Sequence, residues 1–459
     1  MFHDPFGWWV REAGEPPELP PLTGAVDADV VVVGGGYLGM WTAWHLLERD
    51  PGVRVVIVER DRCGFGPSGR NGGFVTSYWN KLPSMVSSFG EAGAVELARA
   101  AEAAVVAIGS WCSAQDVDAW YRRAGEVEIA TSAAQEGEWL EGVDAALSLA
   151  PPREYTALSA SEVASRVQSP CFGGGAFMRT AATVQPARLA FGLRERLVGR
   201  GVRVFERSRV TRVAGSSVSV AGGGSVSAGR VVLAVNHVAG ALRPFRGKVS
   251  TASSHIVMTP PVPGVLEEVG WTGGEALRDC RTMLHYFRTT RDDRIVFGWG
   301  GGRMGFGMRR RGVLDVDPEA AARAAAALRR FFPALAGVPL AAAWGGPIDI
   351  SAMRLPQYRS VGRAVAGFGF TGNGVGPSYL GGQILSGMAL DARDSYTALP
   401  LVEPNAPTFP PEPLRFAGGT AIRAAMVRAD DDADRGAASP SPVRWVAGLP
   451  TRLGMNLPR

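Results

Sequence analysis

Runs and repeats of apolar residues near the start of the chain predict a β-strand, an α-helix and a second strand in succession. Residues 30–33 are four consecutive valines, a run of the length expected for a buried strand. The apolar residues that follow recur every third position, as on one face of a helix: Leu38, Trp41, Trp44 and Leu47. A second apolar run, residues 53–58, ends at the acidic Glu59. The pattern indicates a βαβ unit.

Glycines connect the first strand of this unit to its helix. Gly34 permits a tight turn, Gly36 lets the backbone approach a pyrophosphate, and Gly39 lets helix and strand pack closely. The first N–H groups of the helix are free to bind the phosphates. Glu59 lies twenty residues after Gly39, where an acid accepts hydrogen bonds from a ribose hydroxyl. An isolated glycine turn would be a weak indication of a ligand. Together with the two strands, the helix and the acid, the glycines predict a site for an adenine dinucleotide.

The next segment, residues 60–77, is predicted to form neither a helix nor a regular strand. It contains five glycines together with Pro67, Ser68, Arg70 and Asn71. Such a loop can bring backbone N–H groups and an arginine close to a planar, polar ligand. A long connector would have the same composition, so the segment alone does not distinguish a ligand-binding loop from a connector.

Helices and strands alternate in the rest of the predicted fold. Residues 88–170 have a helical pattern that is interrupted by a strand at residues 127–130. Pro186 opens a helix that ends at Gly199. Further strands are expected at residues 202–205, 210–213, 218–220, 231–235, 249–258, 281–290 and 294–299. Asp317 caps an alanine-rich helix that ends at Phe332.

Residues 364–376 repeat the chemistry of the opening unit, with a short apolar strand, then glycines, then a helix that starts near Ser378. One dinucleotide that bridges the two glycine turns would account for both. The chain continues with a proline-rich linker at residues 400–413 and a further helix. An acidic run at residues 430–434 is expected to be a solvated helix end.

Composition and charge exclude several classes of protein. A chain of 459 residues is long enough for two or three domains, and a hydrophobic content of 46% is typical of a folded protein. The net charge of +5 is small, and Lys81 and Lys248 are the only lysines among many arginines. The sequence contains no aromatic–basic module of the kind that binds RNA, so no nucleic-acid partner is expected.

The cysteines and the chain ends bear on compartment and metals. Four cysteines lie far apart without histidines at metal spacing: Cys63, Cys112, Cys171 and Cys280. They predict reduced thiols in a cytoplasmic protein and no metal site. The N-terminus lacks a signal peptide, and no run reaches the roughly 18–20 apolar residues of a membrane span. The aromatic cluster of Phe6, Trp8 and Trp9 is expected to pack on the body of the protein.

Five motifs together resemble one family. They are the turn at residues 34–39 with Glu59, GPSGRNGG at residues 66–73, TVQP at 183–186, RVVLAVN at 230–236 and GNGVGP at 372–377. The chain resembles the FAD-dependent amine oxidoreductases of the D-amino-acid oxidase superfamily, which includes glycine and sarcosine oxidases. Within that superfamily it is most similar to the γ-glutamylputrescine oxidase-like branch. The likeness extends over roughly residues 8–395.

The resemblance implies a mixed α/β and α+β fold. A doubly wound, Rossmann-like FAD domain would comprise residues 1–80, 181–247 and 346–400, and a substrate domain with an antiparallel sheet would comprise 81–180 and 248–345. Residues 401–459 would form a C-terminal extension.

The resemblance also assigns residues to FAD. Gly34, Gly36 and Gly39 would hold the pyrophosphate, Glu59 the adenosine ribose and the main chain of Val210 the adenine. The flavin ring would lie against the motifs at residues 66–73 and 372–377. The residues concerned are Ser68, Arg70, Asn71, Gly72, Gly372, Asn373, Gly374, Val375 and Gly376.

The sequence departs from the family pattern in three places. Sarcosine-type oxidases hold a substrate carboxylate with an Arg and a Lys where this chain has Gly73 and Gly376, which favours an amine over an amino acid. Residues 281–312 lack the lysine that activates oxygen, so either Arg303, Arg309 or Arg310 takes its place or the electrons pass to another acceptor. Residues 344–351 lack the cysteine that attaches the flavin in some relatives, so non-covalent FAD is expected, with Cys63 as the one rival attachment point.

The implied chemistry is hydride transfer from an uncharged primary or secondary amine to flavin N5. The resulting imine would hydrolyse to an aldehyde or ketone plus an amine, and O2 or another acceptor would reoxidise the flavin. Candidate walls of the substrate site are Tyr286, Phe297, Trp299 and Trp344. His285 could move a proton, and Arg288 or Arg354 could bind an acidic group. For each of these side chains a structural role is the more common one.

Three alternatives stay open from the sequence. An amino-acid oxidase of the glycine, sarcosine or D-amino-acid type would bind a carboxylate through Arg288 or Arg354. An NAD(P)-linked dehydrogenase would use the first glycine turn, and the motifs at residues 66–73 and 372–377 would have no role in it. A flavoprotein without catalytic activity would bind FAD but could not be reduced by any amine.

Overall fold

The computed structural model describes residues 2–3, 6–150, 154–307 and 312–456 of the chain. Its helices are α1 (Trp8–Ala13), α2 (Tyr37–Arg49), α3 (Pro67–Arg70), α4 (Leu82–Ala114), α5 (Leu140–Leu149), α6 (Ala160–Ala164), α7 (Pro186–Gly199), α8 (Pro263–Glu268), α9 (Gly312–Asp315), α10 (Pro318–Phe331), α11 (Val375–Ala389), α12 (Leu414–Asp434), α13 (Ser441–Ala447) and α14 (Leu449–Arg452). None of the described helices is long and apolar enough to cross a membrane.

The strands form two large sheets and one small one. They are β1 (Phe2–His3), β2 (Ala25–Val33), β3 (Val55–Val58), β4 (Phe74–Thr76), β5 (Glu126–Ile129), β6 (Tyr155–Leu158), β7 (Gly175–Met178), β8 (Ala181–Thr183), β9 (Arg203–Phe205), β10 (Val210–Ala214), β11 (Ser217–Val220), β12 (Ser225–Leu233), β13 (Ser250–Met258), β14 (Ala276–Asp279), β15 (His285–Thr289), β16 (Ile295–Trp299), β17 (Ala342–Ile350), β18 (Gln357–Val361) and β19 (Ala364–Phe368).

The first large sheet brings the two glycine turns to one edge. Its central strand, β12, pairs in parallel with β2 on one side and with β19 on the other. β3 and β9 follow beyond β2, β18 lies beyond β19, and the β10–β11 hairpin pairs with the start of β12. Because parallel strands end at the same edge, the turns after β2 and β19 flank the end of β12. In α/β sheets, ligands bind at this edge.

The valine run of β2 is buried on both faces of the sheet. Val30 and Val32 belong to the core that includes α2, α7 and α11. Val31 and Val33 belong to a second cluster on the opposite face, which includes Phe245. A strand that is covered on both sides needs apolar residues at every position, which explains why this stretch shows no alternation.

The second large sheet has nine strands in the order β1-β17-β13-β16-β15-β14-β5-β7-β6. One face packs on α10, where Phe287, Phe297 and Phe331 form an aromatic core. The opposite face turns toward the glycine edge of the first sheet. Successive residues of a strand point to opposite faces, so the register of β15 decides which of its side chains reach the space between the sheets.

Most of the predicted elements are confirmed, and the mixed fold class is as expected. The predicted helix from Pro186 to Gly199 matches α7, and Asp317 caps α10 by accepting the N–H groups of Glu319 and Ala320. Of the N-terminal aromatic cluster, Trp9 is buried as expected, but Phe6 remains 49% exposed. The boundaries of the FAD domain, the substrate domain and the extension stay a prediction.

Three expectations about local structure were wrong. The segment at residues 60–77 contains α3 and β4, because Pro67 starts one helical turn and residues 74–76 pair with β8. Strand β14 was not predicted, and the strand expected at residues 281–290 is confined to β15. Helix α11 begins at Val375, three residues before the expected start at Ser378.

The acidic run at residues 430–434 is a buried ionic clamp rather than a solvated helix end. Asp430 accepts the backbone N–H groups of Thr282 and Met283 at 3.1 and 2.8 Å. Arg281 forms an ion pair with Asp431 at 2.9 Å. The pattern of charges along α12 could not reveal this arrangement, because its partners lie about 150 residues earlier in the chain. The clamp holds α12 against the second large sheet.

A buried ion pair ties the N-terminal arm to the first large sheet. Glu206 is fully buried and binds Arg194 of α7, with 2.9 Å between Oε1 and Nε. Its two oxygens also accept the N–H groups of Cys63 and Leu19 at 2.9 and 3.3 Å. Loss of the arginine would leave a carboxylate buried without a counter-charge.

We therefore expect Arg194→Met to lower the free energy of unfolding by about 3 kcal/mol or more. The control Arg54→Met removes an exposed ion pair with Asp29 and should change stability little. Urea unfolding followed by circular dichroism measures both. Equal effects of the two substitutions would contradict the importance of the buried pair.

Candidate active site

A single continuous cavity of about 780 Å³ lies between the two large sheets. Residues of the first glycine turn, the loop after β3 and the last glycine turn all line it. Predicted site residues among the lining are Gly34, Gly36, Glu59, Ser68, Arg70, Asn71, Gly72, Val210, Tyr286, Arg354, Gly372, Asn373, Gly374 and Val375. Segments that are far apart in the sequence therefore meet around one space.

The first glycine turn is too tight for any other residue. Gly34 has φ of +110°, and a Cβ there would lie 2.3 Å from the carbonyl oxygen of Ala234. A Cβ at Gly39 would lie 2.0 Å from the carbonyl oxygen of Gly34. Gly39 is thus buried between helix and strand and does not line the cavity, whereas Gly36 does. That the three glycines hold a pyrophosphate stays a prediction.

Glu59 lines the cavity and also stabilises the first glycine turn through hydrogen bonds to the backbone. Its carboxylate accepts the N–H of Gly35 at 2.7 Å and the N–H of Asp61 at 2.9 Å. Burial raises the pKa of this carboxyl group. The acid at the end of β3 is therefore fixed by the backbone on both sides.

The loop after β3 is fastened by its own predicted site residues. Ser68 Oγ accepts the N–H of Tyr37 at the start of α2, at 2.8 Å. The Asn71 side chain donates to the carbonyl of Ser68 at 2.8 Å and accepts the N–H of Gly73 at 2.7 Å. Arg70 pairs with Asp315 at 3.1 Å. These bonds present a rigid loop to the cavity.

The last glycine turn is held by Asp349 of β17. Its carboxylate accepts the N–H of Gly369 at 2.6 Å and the N–H of Phe370 at 3.2 Å, and its backbone carbonyl accepts the N–H of Thr371 at 2.7 Å. Burial raises the pKa of Asp349 to about 7. Gly376 does not line the cavity, because it packs against the carbonyl oxygen of Thr76. Its predicted contact with a cofactor stays a prediction.

The cavity extends along the second large sheet, and we call this part the sheet-side lobe. Its apolar lining consists of Phe74, Ile256, Met283, Leu284, Tyr286 and Met304. The Tyr286 hydroxyl shares a hydrogen bond of 2.7 Å with Ser254 Oγ. Burial raises the pKa of Tyr286 to about 12, so its phenol stays protonated at neutral pH.

Basic side chains also line the cavity. Lys81 Nζ donates to the backbone carbonyl of Arg354 at 3.2 Å, and both side chains line the cavity. Burial and the nearby positive charges of Arg354 and Arg278 lower the pKa of Lys81 to about 7. Burial lowers the pKa of Arg354 to about 10. Arg278 differs from these two because it is paired with Glu126 at 2.9 Å.

His285 and Trp299, two of the predicted catalytic residues, do not reach the cavity. The two residues pair across β15 and β16 and face α10 rather than the space between the sheets. His285 Nδ1 lies 2.6 Å from Asp279 Oδ2, and its ring contacts Phe331. Tyr286, one residue along the strand, does line the cavity, as the alternation of a strand requires.

The other candidate wall residues and the predicted acid-binding Arg288 have structural roles. Phe297 lies in the core beside α10, and Trp344 donates from Nε1 to the carbonyl of Arg70 at 2.8 Å. Arg288 donates to the carbonyls of Gly72 and Val184 at 2.7 and 2.6 Å, which joins β15 to the loop after β3. None of these three side chains lines the cavity.

The remaining candidates for oxygen activation and flavin attachment gain no support. Arg303 pairs with Asp317 and Glu319, each at 2.7 Å, and does not line the cavity. Arg309 and Arg310 lie outside the described residues. Cys63 is fully buried, and burial raises its pKa well above the ordinary value, which disfavours the reactive thiolate. Among the described residues, no cluster of histidine, cysteine and acidic side chains could hold a metal ion.

Sequence analysis missed several residues that line the cavity. Lys81, Asn236, Arg278, Asp349 and Arg423 were not singled out. Two of them had a visible indication, since Lys81 is one of two lysines in the chain and Asn236 ends the motif RVVLAVN. The others reach the site only through the pairing of distant strands or the docking of α12.

The raised pKa of Asp349 predicts a pH effect on stability. The folded state keeps this proton up to about pH 7, whereas the unfolded chain releases it near pH 3.8, so the stabilisation falls as pH rises between these values. We expect the free energy of unfolding of the wild type, relative to Asp349→Asn, to fall by up to about 4 kcal/mol across this window.

Urea unfolding at several pH values from 5 to 8 follows the upper part of this window, in which a fall of about 3 kcal/mol is expected. Asp29→Asn is the control, because the pKa of Asp29 is held at about 2 by Arg54 and does not titrate in that window. Parallel pH curves for the wild type and Asp349→Asn would contradict the prediction.

Several known proteins are similar to this chain in sequence or in fold. Gamma-glutamylputrescine oxidoreductase of Escherichia coli (strain K12) is 27% identical over 429 residues, which are 91% of this chain and 94% of that protein. The probable oxidoreductase OrdL of Rhizobium meliloti (strain 1021) is 26% identical over 428 residues, 92% of this chain and 95% of that protein. Glycine oxidase from Geobacillus kaustophilus has a similar fold, with a TM-score of 0.68 at 18% identity, covering 83% of this chain and all of that one.

The family comparison covers most of the chain. Residues 29–388 match the DAO family, described as FAD dependent oxidoreductase, and this span includes both glycine turns and both large sheets from β2 onward. The predicted FAD cofactor and oxidoreductase class are thereby confirmed. The chain belongs to the DAO family of FAD-dependent oxidoreductases.

Proposed function

We propose that this protein oxidises a primary or secondary amine with FAD bound non-covalently in the cavity. The observation that carries the proposal is the continuous cavity, which joins both glycine turns to an apolar lobe. The similarity to gamma-glutamylputrescine oxidoreductase supports an amine as substrate. The four free cysteines support a cytoplasmic location.

The residues of the cavity fit the charge and shape of FAD. Helices α2 and α11 begin after Gly36 and Gly374, which offer no side chain to cap the helix or to block an approaching ligand. Helix starts attract negatively charged groups, and FAD carries its charge on the pyrophosphate. A Cβ at Gly374 would meet no protein atom within 4 Å, so the space beside it belongs to the cavity.

The cavity lining allows each predicted contact with FAD to be assigned to a segment. Gly34 and Gly36 would border the pyrophosphate, Glu59 the ribose, and the main chain of Val210 the adenine. The flavin ring would lie between the two other segments: Ser68, Arg70, Asn71 and Gly72 on one side, and Gly372, Asn373, Gly374 and Val375 on the other. Gly39 and Gly376 would contribute by close packing alone.

FAD supplies the acceptor for a hydride that leaves the α C–H of the amine. The apolar lining would exclude water and the basic side chains would disfavour an ammonium ion, so the amine would bind in its neutral, reactive form. Tyr286 and Ser254 would orient the substrate through their shared hydrogen bond. The imine would hydrolyse to an aldehyde or ketone plus an amine, and O2 or another acceptor would take the electrons.

An amino-acid oxidase is the second candidate, and Arg354 favours it. This arginine lines the cavity and could bind a carboxylate, whereas Arg288 is engaged with backbone carbonyls. The alternative of an NAD(P)-linked dehydrogenase is set aside because the family uses FAD. A flavoprotein that no amine reduces stays a possible outcome of the experiment that follows.

Anaerobic titration of the purified protein with single amines and amino acids tests the proposal. We expect a primary or secondary amine to bleach the flavin absorption, because hydride transfer reduces the cofactor. Bleaching by amino acids alone would favour the second candidate. A bound flavin that neither class reduces would contradict enzymatic oxidation of amines.

Gly374→Ala tests the placement of the cofactor against the last glycine turn. The added methyl group would enter the cavity without touching protein atoms, so we expect the fold to persist while the affinity for FAD falls at least about 10-fold. The control is Gly264→Ala, where a Cβ would also meet no neighbour but lies in α8, away from the cavity. Fluorescence titration with FAD measures both affinities, and equal values would refute this placement.

A further inference from the structure

We propose that Glu126 is a catalytic residue, which accepts at its oxygen Oε2 the proton that the substrate ammonium loses before the amine is oxidised. This inference rests on the proposed function and adds a proton acceptor to it. It concerns an acid of β5, a strand of the second large sheet, for which sequence analysis predicted no role.

Glu126 lies on the cavity side of the second large sheet. Val127, the next residue, belongs to the core beside α10, so strand alternation places Glu126 on the opposite face. On the adjacent strand β14, Arg278 lies opposite Tyr286 of β15 and bonds to Glu126 through its side chain. Tyr286 in turn packs against Gly72 of the predicted flavin loop. Glu126 and the predicted place of the flavin ring therefore border one continuous space.

One oxygen of Glu126 faces this space without a protein partner. Oε1 accepts a hydrogen bond from Arg278 Nε at 2.9 Å, and Oε2 accepts none from the residues that the structure describes. Only 4% of Glu126 is exposed, so its carboxylate is set back from the protein surface. A polar atom in such a place favours a ligand that can donate to it.

The other acids that line the cavity are engaged elsewhere. Both oxygens of Glu59 and both oxygens of Asp349 accept backbone N–H groups. Asp61 lies beside Glu59, at the predicted ribose end of the cavity. Among the described residues of the lining, Glu126 is therefore the acid placed to take up a proton from a ligand in the sheet-side lobe.

The charges around Glu126 favour the uptake of one proton. Arg278 forms ion pairs with both Glu126 and Glu128, so these three side chains carry one negative charge in excess. Burial raises the pKa of Glu126, the positive charge of Arg278 lowers it, and the negative charge of Glu128 raises it again. A proton on Oε2 removes the excess charge and leaves the pair of Arg278 and Glu128 intact. The Tyr155 hydroxyl and the Cys280 thiol hold Glu128 from its other side.

The proton transfer precedes the oxidation. A simple alkylamine resembles a lysine side chain, whose pKa is about 10, and is an ammonium ion at neutral pH. Its N–H bond breaks, an O–H bond forms at Glu126 Oε2, and the electron pair stays on nitrogen. That pair forms the C=N bond as the hydride leaves the α carbon. Glu126 returns its proton to water after the product has left, so the step needs no further reactant.

The pH dependence of flavin reduction tests this role. Anaerobic stopped-flow mixing of the holoenzyme with the amine that bleaches the flavin fastest gives the ratio of reduction rate to Kd. The range is pH 7.5 to 9, above the pKa of Lys81, which lines the same cavity and titrates at about 7. We expect the ratio for the wild type to change less than about 3-fold, because Glu126 accepts the proton of the ammonium ion itself.

Two variants assign the effect to one carboxylate. Glu126→Gln keeps an acceptor for Arg278 but takes up no proton, so only the neutral amine reacts. Its ratio should be at least about 10-fold below that of the wild type at pH 7.5 and should rise about 10-fold per pH unit. Glu128→Gln is the matched control, because Glu128 also binds Arg278 but does not line the cavity, and it should keep the flat profile. A wild-type ratio that rises as steeply as that of Glu126→Gln would overturn the proposal.

Binding of an amine that cannot be oxidised gives a second readout, which needs no variant. tert-Butylamine has no α C–H and is an ammonium ion in water at pH 8. Calorimetric titration of the FAD-loaded protein in two buffers of different ionisation enthalpy measures the protons released on binding. We expect no net release from the wild type, because the proton passes to Glu126, and release of about one proton per chain from Glu126→Gln.

The outcomes separate this proposal from the proposed function. Release of one proton by the wild type would overturn the role of Glu126, because the amine would then bind in its neutral form from solution. No release combined with a steeply rising wild-type ratio would also overturn it, since the bound ammonium ion would then keep its proton. A lack of reduction by every amine would count against the proposed function itself, whereas the proton balance of tert-butylamine does not depend on reduction.

Discussion

The close packing of backbone at the end of the parallel strands is the constraint on which the rest of the structure depends. A side chain at Gly34 would collide with the Ala234 carbonyl, and one at Gly39 would collide with the Gly34 carbonyl. Because glycines follow β2 and β19 at this edge, β2, β12 and β19 end beside an open space instead of a packed core. Two helices, α2 and α11, begin at the same edge and direct their N–H groups toward it. A dinucleotide site results from this geometry.

Strand alternation decides which side chains can take part in chemistry. On β15, Tyr286 faces the cavity, while His285 and Phe287 face α10. The aromatic residues of β16 likewise form core rather than walls. The chemistry of the sheet-side lobe is therefore supplied by other elements, namely Lys81 before α4, Arg354 after β17 and Arg423 on α12. Helix α12 thus contributes a side chain to the cavity lining, and its buried ionic clamp holds it there.

Sequence patterns predicted those elements that depend on interactions between residues close together in the chain. The valine run, the spacing of Gly34, Gly36 and Gly39, and the proline at the start of α7 all indicated the elements that form. Sequence alone could not show that Glu59 would bind backbone N–H groups of its own turn, or that Asp349 would hold the last glycine turn. Such contacts join residues that are distant in the chain, and the face of β15 that meets the cavity depends on the register of the whole sheet.

The central claim is that one FAD molecule bridges both glycine turns and is held without a covalent bond. The most direct measurement is the identity and amount of flavin released when the purified, FAD-saturated protein is denatured by heat. The account predicts about one FAD per chain, all of it in the supernatant, because one cavity holds one dinucleotide. Release of FMN, flavin that remains in the protein pellet, or the absence of flavin would contradict it.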